Sequence, residues 1–391
     1  MTSIPTGDAV ALLRRLVSID SRNPSLVAGA PGEHNVASAL AETLRAWGFT
    51  VQLVDAAPGR PNVIARVGRS GGRSLLFNGH LDVVGVDGML HPPFVADERD
   101  GRVYARGSCD MKGGVAAMCA AAARAAAAGL TGEIIVTAVA DEEYESLGTR
   151  AVVASGLRAD AAIVTEPTRL AINPAHRGFV WAEFDFHGRA AHGSRYDVGV
   201  DAIRHAGLLL AALDQLQRTV LDQRQHPLLG HASLHAATIA GGTGWSTYPE
   251  HCRLRVERRT IPGESTATVM AEFEDACARL RAHDSTLDVA VRHVLTQGPS
   301  DVALDAPVVQ ALEAAMRAEG EPVHHEGMSA WTDAALLNDA GIPAICYGPG
   351  DIMLAHATEE WVPLDEVERC TRVLTRLATT WLSAPTAAEG R

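Results

Sequence analysis

The order of strand and helix patterns along the 391-residue chain constrains its fold more than any other feature of the sequence. From the start to about residue 174, apolar strand patterns alternate with helical patterns; the strand-like "EIIVTAVADEE", for example, follows the helical "GGVAAMCAAAARAAAAG". Such alternation is typical of an α/β sheet that carries helices on its faces. We therefore predict an α/β fold built on a mixed sheet with helices on both faces.

The pattern changes between residues 175 and 295. In this segment the strand and helix signals follow the order βαββαβ, which is the order of a ferredoxin-like unit. After residue 295 the α/β alternation returns, and a final helix is predicted to open near Pro363. The sequence thus predicts one discontinuous domain, residues 1–174 and 296–391, with a smaller domain, residues 175–295, inserted in it.

Composition and charge restrict the class of protein. Lys and Arg number 34 and Asp and Glu number 47, which gives a formal net charge of −13 with no basic cluster; this argues against nucleic acid as a partner. No stretch approaches the roughly 20 apolar residues of a membrane span, and the start lacks a secretory signal pattern. We therefore predict a cytoplasmic protein without membrane association. The six cysteines form no CxxC pair, which argues against thiolate zinc ligation and a disulfide framework.

Polar side chains stand where several predicted strands end. The stretch "FNGHLDVV" runs an apolar strand into His80 and Asp82, "AVADEE" ends in Glu142 and Glu143, and "IVTEPT" contains Glu166. In open α/β sheets the carboxyl ends of the strands form the ligand crevice. These side chains are therefore expected to converge.

Two further residues are expected to face the same crevice. Asp110 lies in the Gly-rich "RGSCDMKGG" before a helix, and His356 follows the "YGPG" turn. The carboxylates of Asp110, Glu143 and Glu166 would bring roughly three negative charges together and would raise one another's pKa unless cations neutralised them. Two divalent ions with one hydroxide would bring the cluster close to neutrality.

Together these motifs resemble a known family, the dinuclear-zinc deacylases and exopeptidases, which includes acetylornithine deacetylase, succinyl-diaminopimelate desuccinylase, aminoacylase-1 and glutamate carboxypeptidase. The resemblance covers nearly the whole chain and is carried by "GHLDVV", "ARGSCDMKGG", "ADEE", "TEPT", "GRAAHGS" and "GPGDIMLAH". It implies that the discontinuous domain is a zinc-exopeptidase-like catalytic domain. It also implies that the inserted domain serves as a lid and in dimerisation, so that the protein is a homodimer.

The resemblance implies a set of five metal ligands. His80 and Glu166 would bind one ion, His356 and Glu143 would bind the other, and Asp110 would bridge the two. A ligand set of nitrogen and oxygen atoms without thiolate suits zinc and also accepts cobalt or manganese.

The resemblance assigns catalytic roles to two residues beside the ligands. Asp82 would hold the imidazole of His80 in its orientation from behind. Glu142 would act as the general base that activates a water bridging the metals and then passes the proton to the departing amine. Because adjacent residues on a strand point to opposite faces, Glu142 and Glu143 can serve one site only if the strand bends there.

Two residues of the inserted domain are also implicated by the resemblance. His192 in "GRAAHGS" would reach the active site of the partner subunit and stabilise the oxyanion of the tetrahedral intermediate. Arg259 matches an Arg-x-x-Pro position and would clamp the substrate carboxylate. The chain departs from the family at Tyr196, where relatives usually have proline, and at Ser246 and Thr247, where an asparagine is common. These departures concern the substrate contacts.

Three other classes of protein are weighed against this interpretation. The stretch "GRSGG" fits the nucleophile motif of serine hydrolases, but Ser70 lies between two strand patterns and is predicted in a hairpin turn, whereas the motif requires a strand, a turn and a helix. No G-x-G-x-x-G follows the first strand, which argues against a dinucleotide oxidoreductase. A non-catalytic protein that kept the fold would be expected to lose Glu142 or a metal ligand.

The predicted function is hydrolysis of a linear amide bond by a metal-dependent deacylase that acts on an N-acyl amino acid. N-acetylornithine is the first substrate to consider, since "GRAAHGS", "SAWTDA" and "GPGD" resemble the acetylornithine deacetylase and desuccinylase branch. A dipeptidase or carboxypeptidase of the same family stays the alternative, because both reactions break an amide beside a carboxylate.

Overall fold

The computed structural model describes residues 3–384. The helices of this part of the chain are α1 Ala9–Val17, α2 His34–Ala46, α3 Gly113–Ala127, α4 Leu147–Ala154, α5 Ala202–Thr219, α6 Thr266–His283, α7 Pro307–Ala318, α8 Ala334–Asp339 and α9 Leu364–Ser383. Its strands are β1 Thr50–Ala57, β2 Arg60–Gly68, β3 Ser74–His80, β4 Asp97–Arg99, β5 Arg102–Tyr104, β6 Glu133–Val139, β7 Ala162–Val164, β8 Ile172–His176, β9 Gly178–His187, β10 Gln225–His226, β11 Gly230–His231, β12 Ser233–Gly241, β13 His251–Thr260, β14 Asp288–Gln297, β15 Ser300–Asp301, β16 His325–Met328, β17 Ala344–Cys346 and β18 Trp361–Pro363.

Contacts within the chain divide it into two compact units. The first unit contains the chain up to Pro174, the segment Val302–Glu326 and the chain from Thr332 onward. The second unit contains Ala175–Asp301 and the short segment Gly327–Trp331.

The first unit is built on a mixed sheet. Its strands lie in the order β1-β2-β6-β3-β7-β17-β8. The central strands β6, β3, β7 and β17 are parallel, whereas β1 and β2 pair antiparallel at one side. A parallel core flanked by antiparallel strands is the mixed sheet that the alternation of patterns predicts.

The contacts of strand β3 show that helices cover both faces of this sheet. Its residues after Ser74 are all buried, as expected for a central parallel strand. A Cβ at Gly79 would meet Val115 of α3, whereas the amide of Asn78 donates to Thr149 of α4. Since successive residues of a strand point to opposite faces, α3 and α4 lie on opposite sides of the sheet. The predicted helices on both faces are confirmed.

The second unit contains a four-stranded antiparallel sheet in the order β12-β13-β9-β14. Its chain order is β9-α5-β12-β13-α6-β14 apart from short elements, which confirms the predicted βαββαβ unit. Along β13 buried side chains such as Leu254 and Val256 alternate with exposed ones such as Arg253 and Arg255. One face of this sheet therefore packs in the core of the unit and the other carries charge.

The predicted hairpin turn at Ser70 is wrong. The residues between β2 and β3 do connect two strands, but β6 lies between those strands in the sheet. Pairing of both strands with β6 replaces their pairing with each other.

In the part of the chain that the structure describes, no helix has the length and apolar character required to cross a membrane.

Candidate metal centre

Four parallel strands direct the predicted ligands to one edge of the sheet of the first unit. His80 is the last residue of β3, Glu166 follows the end of β7 by two residues, and His356 lies in the segment after β17. The neighbouring strand β6 ends at Val139, shortly before Glu143. Parallel strands end at the same edge of a sheet, and this edge is where α/β folds bind ligands.

Asp110 lies between two histidines. Its Oδ1 is 3.1 Å from Nε2 of His80, and its Oδ2 is 3.5 Å from Nε2 of His356. Asp110 belongs to the turn that precedes α3, and its own backbone is extended (φ −116°, ψ 97°) rather than helical. The turn thus points one carboxylate toward both imidazoles.

The predicted ligands form two groups that share Asp110. His80, Asp110 and Glu166 make the first group, and Asp110, Glu143 and His356 make the second; within each group the potential ligand atoms lie within 4.8 Å of one another. The five residues that the sequence singled out are therefore brought together.

Glu142 and Glu143 lie in a turn and not on a strand. Strand β6 ends at Val139, and Asp141 adopts a left-handed backbone conformation with φ 66°. The turn brings Oε2 of Glu143 to 2.8 Å from Nε2 of His356 and Oε2 of Glu142 to 3.9 Å from Nε2 of His80. The predicted strand over these glutamates is wrong, and its early end supplies the bend that the site requires.

The contacts of Asp82 differ from those predicted, because its main-chain oxygen and not its carboxylate lies nearest to the imidazole of His80. Nδ1 of His80 lies 2.9 Å from the main-chain oxygen of Asp82 but 3.6 Å from its carboxylate. The carboxylate instead accepts the backbone N–H groups of Glu142 and Glu143, both at 3.1 Å, and the amide of Asn23 at 2.8 Å. One buried residue thus orients the imidazole through its carbonyl and the glutamate turn through its side chain.

A buried polar network behind this turn was not predicted. The amide of Asn23 also donates to Asp141, and the guanidinium of Arg60 donates to Asp141 and forms an ion pair with Glu33. The backbone N–H of Asp141 donates to Glu33 in turn. These residues come from separate segments of the chain, so no sequence motif indicates the network.

The electrostatics of the cluster favour cations. Burial and the neighbouring carboxylate of Asp110 raise the pKa of Glu166 well above its usual range. Burial likewise raises the pKa of Glu142 far above normal, although the charge of His80 opposes this shift. Buried Oε1 of Glu166 has no hydrogen-bond partner among the residues that the structure describes. A buried, unpartnered carboxylate oxygen within a group of oxygen and nitrogen donors fits a divalent metal ion.

His192 and Arg259 belong to the second unit. His192 is exposed, and its Nδ1 lies 2.8 Å from Oγ of Ser194. Nε of Arg259 donates to Glu257 at 2.5 Å, and its guanidinium lies 5.2 Å from the ring centre of Phe179. Their roles in catalysis and substrate binding stay predictions.

The first unit therefore has the site of a metallohydrolase, in which two potential metal groups share one aspartate and a separate glutamate lies beside them. The sequence model described as peptidase family M20/M25/M40 matches residues 76–380. The chain belongs to this family. The prediction of a member of the dinuclear-metal deacylase and exopeptidase family is confirmed, as is that of an enzyme that hydrolyses amide bonds.

The chain is similar to curated proteins and to solved structures over most of its length. It is 36% identical to an acetylornithine deacetylase of Myxococcus xanthus, with 85% of this chain and 88% of the relative covered. It is 29% identical to an N-formyl-4-amino-5-aminomethyl-2-methylpyrimidine deformylase of Bacillus subtilis, with 96% and 95% covered. The structure of aminopeptidase PepT from Bacillus cereus aligns with a TM-score of 0.79 at 19% identity over 97% of this chain and 100% of that chain, which supports the fold.

Proposed function

We propose that the protein is a metal-dependent amidohydrolase that removes the acyl group from an N-acyl amino acid. The observation that carries this proposal is the position of Asp110, whose two carboxylate oxygens face His80 and His356, with Glu142 beside His80. The similarity to an acetylornithine deacetylase supports deacylation as the reaction.

We infer that the two groups around Asp110 each hold one divalent ion. His80 and Glu166 would complete the first site, and Glu143 and His356 the second. The imidazole and carboxylate donors of both groups suit zinc, and cobalt or manganese would also fit. Bound there, the ions would polarise the substrate carbonyl and lower the pKa of the attacking water.

Glu142 is assigned the proton transfers. Its side chain lies at the mouth of the first group, and its backbone N–H is held by the carboxylate of Asp82. Glu142 would take a proton from the attacking water as the bond between oxygen and the acyl carbon forms. It would then give that proton to the amine nitrogen as the carbon–nitrogen bond breaks. Burial raises the pKa of Glu142 well above its usual range, and a raised pKa makes a carboxylate a stronger base toward the proton of water.

The second unit is proposed to act as a lid and in dimerisation. His192 would stabilise the oxyanion in the active site of the partner subunit, which agrees with its exposed position in one chain. Arg259 would clamp the substrate carboxylate by a bidentate contact, after exchanging its present partner Glu257 for the substrate. We also propose that the first unit is the catalytic domain, that the protein is a homodimer and that it is cytoplasmic.

A panel of substrates tests the proposal. Metal-free protein would be prepared with a chelator, reconstituted separately with zinc, cobalt and manganese, and assayed on N-acetyl, N-succinyl and N-formyl amino acids beside dipeptides. We expect hydrolysis of at least one N-acyl amino acid, with N-acetylornithine the first to try, only after metal is restored. Hydrolysis confined to dipeptides would favour the exopeptidase alternative, and full activity in metal-free protein would refute both.

A further inference from the structure

The carboxylate of Glu360 accepts four hydrogen bonds from residues 106–110, the segment that carries Asp110. Its Oε2 accepts from Nη1 of Arg106 at 2.6 Å and from the backbone N–H of Gly107 at 2.9 Å. Its Oε1 accepts from the backbone N–H groups of Cys109 and Asp110, both at 3.0 Å. The Glu360 residue is fully buried, so water does not replace any of these partners.

The pairing of two short strands brings Glu360 to this turn. Strand β18, Trp361–Pro363, runs antiparallel to β5, Arg102–Tyr104, with Trp361 opposite Tyr104. The residue before β18 therefore lies beside the residues after β5, and these residues lead directly into the Asp110 turn.

Glu360 also stands only four residues after His356. The carboxylate thus fixes the backbone of Asp110 and, along its own chain, one end of the segment that carries His356. A second contact joins the same two segments, since Sγ of Cys109 lies 3.3 Å from the main-chain oxygen of Asp351. The 3.5 Å separation between Asp110 Oδ2 and His356 Nε2 depends on how these segments are held together.

We propose that Glu360 is a positioning residue for the metal centre: it ties the Asp110 turn to the His356 segment and so sets the geometry in which the second ion is bound. The inference rests on the proposed function, because it takes both groups around Asp110 as metal sites. Glu360 would not itself be a ligand, since its two oxygens are occupied by Arg106 and by three backbone N–H groups.

The substitution Glu360→Gln tests this inference. An amide has one acceptor oxygen, so two of the four donors around Glu360 would face an NH2 group and the turn would shift. Orienting contacts behind metal ligands are typically worth about 10 to 100-fold in metal affinity. We expect E360Q to bind the more weakly held cobalt ion with an affinity reduced by about this factor, and to show an altered visible absorption spectrum of bound cobalt. Both quantities are measured on metal-free protein titrated with cobalt(II) against a competing chelator.

Glu321→Gln is the matched control. Glu321 is also a buried carboxylate of the first unit and accepts from Arg369 of helix α9 at 2.6 Å, and neither residue belongs to the Asp110 turn or to the His356 segment. We expect E321Q to lower the unfolding temperature yet keep wild-type cobalt affinity. If E360Q binds both ions as tightly as wild type, or if E321Q weakens cobalt binding equally, the inference is overturned.

A milder variant covers the case in which E360Q does not fold. Arg106→Lys keeps the positive charge beside Glu360 but loses the planar geometry of the guanidinium. We expect a smaller loss of cobalt affinity in the same direction, and unchanged affinity in R106K would count against the inference. Failure of the proposed function is a separate outcome: wild-type protein would bind two cobalt ions but hydrolyse no acyl amino acid. Weakened cobalt binding in these variants would still support the role of Glu360 in that case.

Discussion

Glu142 and Glu143 are adjacent in the chain but have different neighbours. Glu143 contacts the imidazole of His356 at 2.8 Å, whereas Glu142 stands 3.9 Å from that of His80. Their backbone N–H groups are both held by Asp82, so the turn presents one carboxylate to a ligand group and leaves the other beside it. This difference in neighbours agrees with the roles proposed above, a metal ligand for Glu143 and a general base for Glu142.

Replacement of Glu142 by Gln should separate these roles. The amide cannot carry a proton between water and amine, and general acid–base catalysis typically contributes about 10²- to 10⁴-fold to the rate. We expect E142Q to retain two metal ions per chain and to lose turnover by about this factor. Metal content by elemental analysis and kcat on the best acyl amino acid measure the two effects. Near-normal turnover would rule Glu142 out as the base.

Asp333 gives the metal-free protein a pH-dependent stability. The residue is buried, and burial raises its pKa to about 6, although a hydrogen bond from Thr149 at 2.6 Å opposes the shift. Since the folded pKa lies above the unfolded value of about 3.9, the native state binds the proton more tightly. This contribution favours folding below about pH 4 and is lost as the pH rises toward 6, by about 3 kcal/mol.

Asp333→Asn should remove this dependence. We expect the unfolding free energy of metal-free D333N to change less between pH 4 and 7 than that of wild type, as measured by urea denaturation at each pH. Asp305→Asn, at an exposed position of the same unit, should leave the wild-type dependence intact. Parallel curves for wild type and D333N would contradict the assignment.

At the scale of elements, apolar patterns in the sequence predict which segments form strands better than they predict where those strands end. The sequence predicts the strand β6, but no motif in it indicates the left-handed backbone of Asp141, which follows the end of this strand at Val139. The five predicted metal ligands could be named from the sequence because each stands in a local motif. Asp82 and Glu360 hold their turns through contacts with residues far along the chain, so such roles become visible only when the segments are folded together.

The close approach of α3 to β7 provides a test of how helices position a ligand. A Cβ added at Gly114, in the first turn of α3, would lie 1.9 Å from the carbonyl oxygen of Thr165, the residue before Glu166. We expect Gly114→Ala to lower the unfolding free energy by about 1–3 kcal/mol, the usual cost of overpacking. Displacement of Glu166 should also weaken cobalt binding, which the same titration measures.

Gly207→Ala is the control for helix propensity. Gly207 lies within α5, and nothing stands within 4 Å of the position that its Cβ would take. This substitution should leave stability unchanged or raise it by up to about 1 kcal/mol, because alanine favours a helix over glycine. A G114A protein as stable as wild type would show that α3 moves away from β7 without cost.

At the scale of the whole molecule, the division into two units raises the question of which copy completes each active site. If His192 acts in the partner subunit, chains with His192→Ala and chains with E142Q should complement each other. In a mixed dimer one site would then have both Glu142 and His192, so an equal mixture should recover about a quarter of wild-type activity. Activity after mixing and re-equilibration measures this, with each variant alone as control. Failure to recover any activity would argue against a role across the dimer.

The second unit interrupts the first between Pro174 and Val302, so the predicted ligands before and after it are synthesised at different times. His80, Asp110 and Glu166 all leave the ribosome before the interruption begins, whereas His356 follows it. Domains emerge and fold from the amino terminus during synthesis. A nascent chain therefore contains all of His80, Asp110 and Glu166 before the second unit is synthesised, whereas the group of Asp110, Glu143 and His356 is complete only after it.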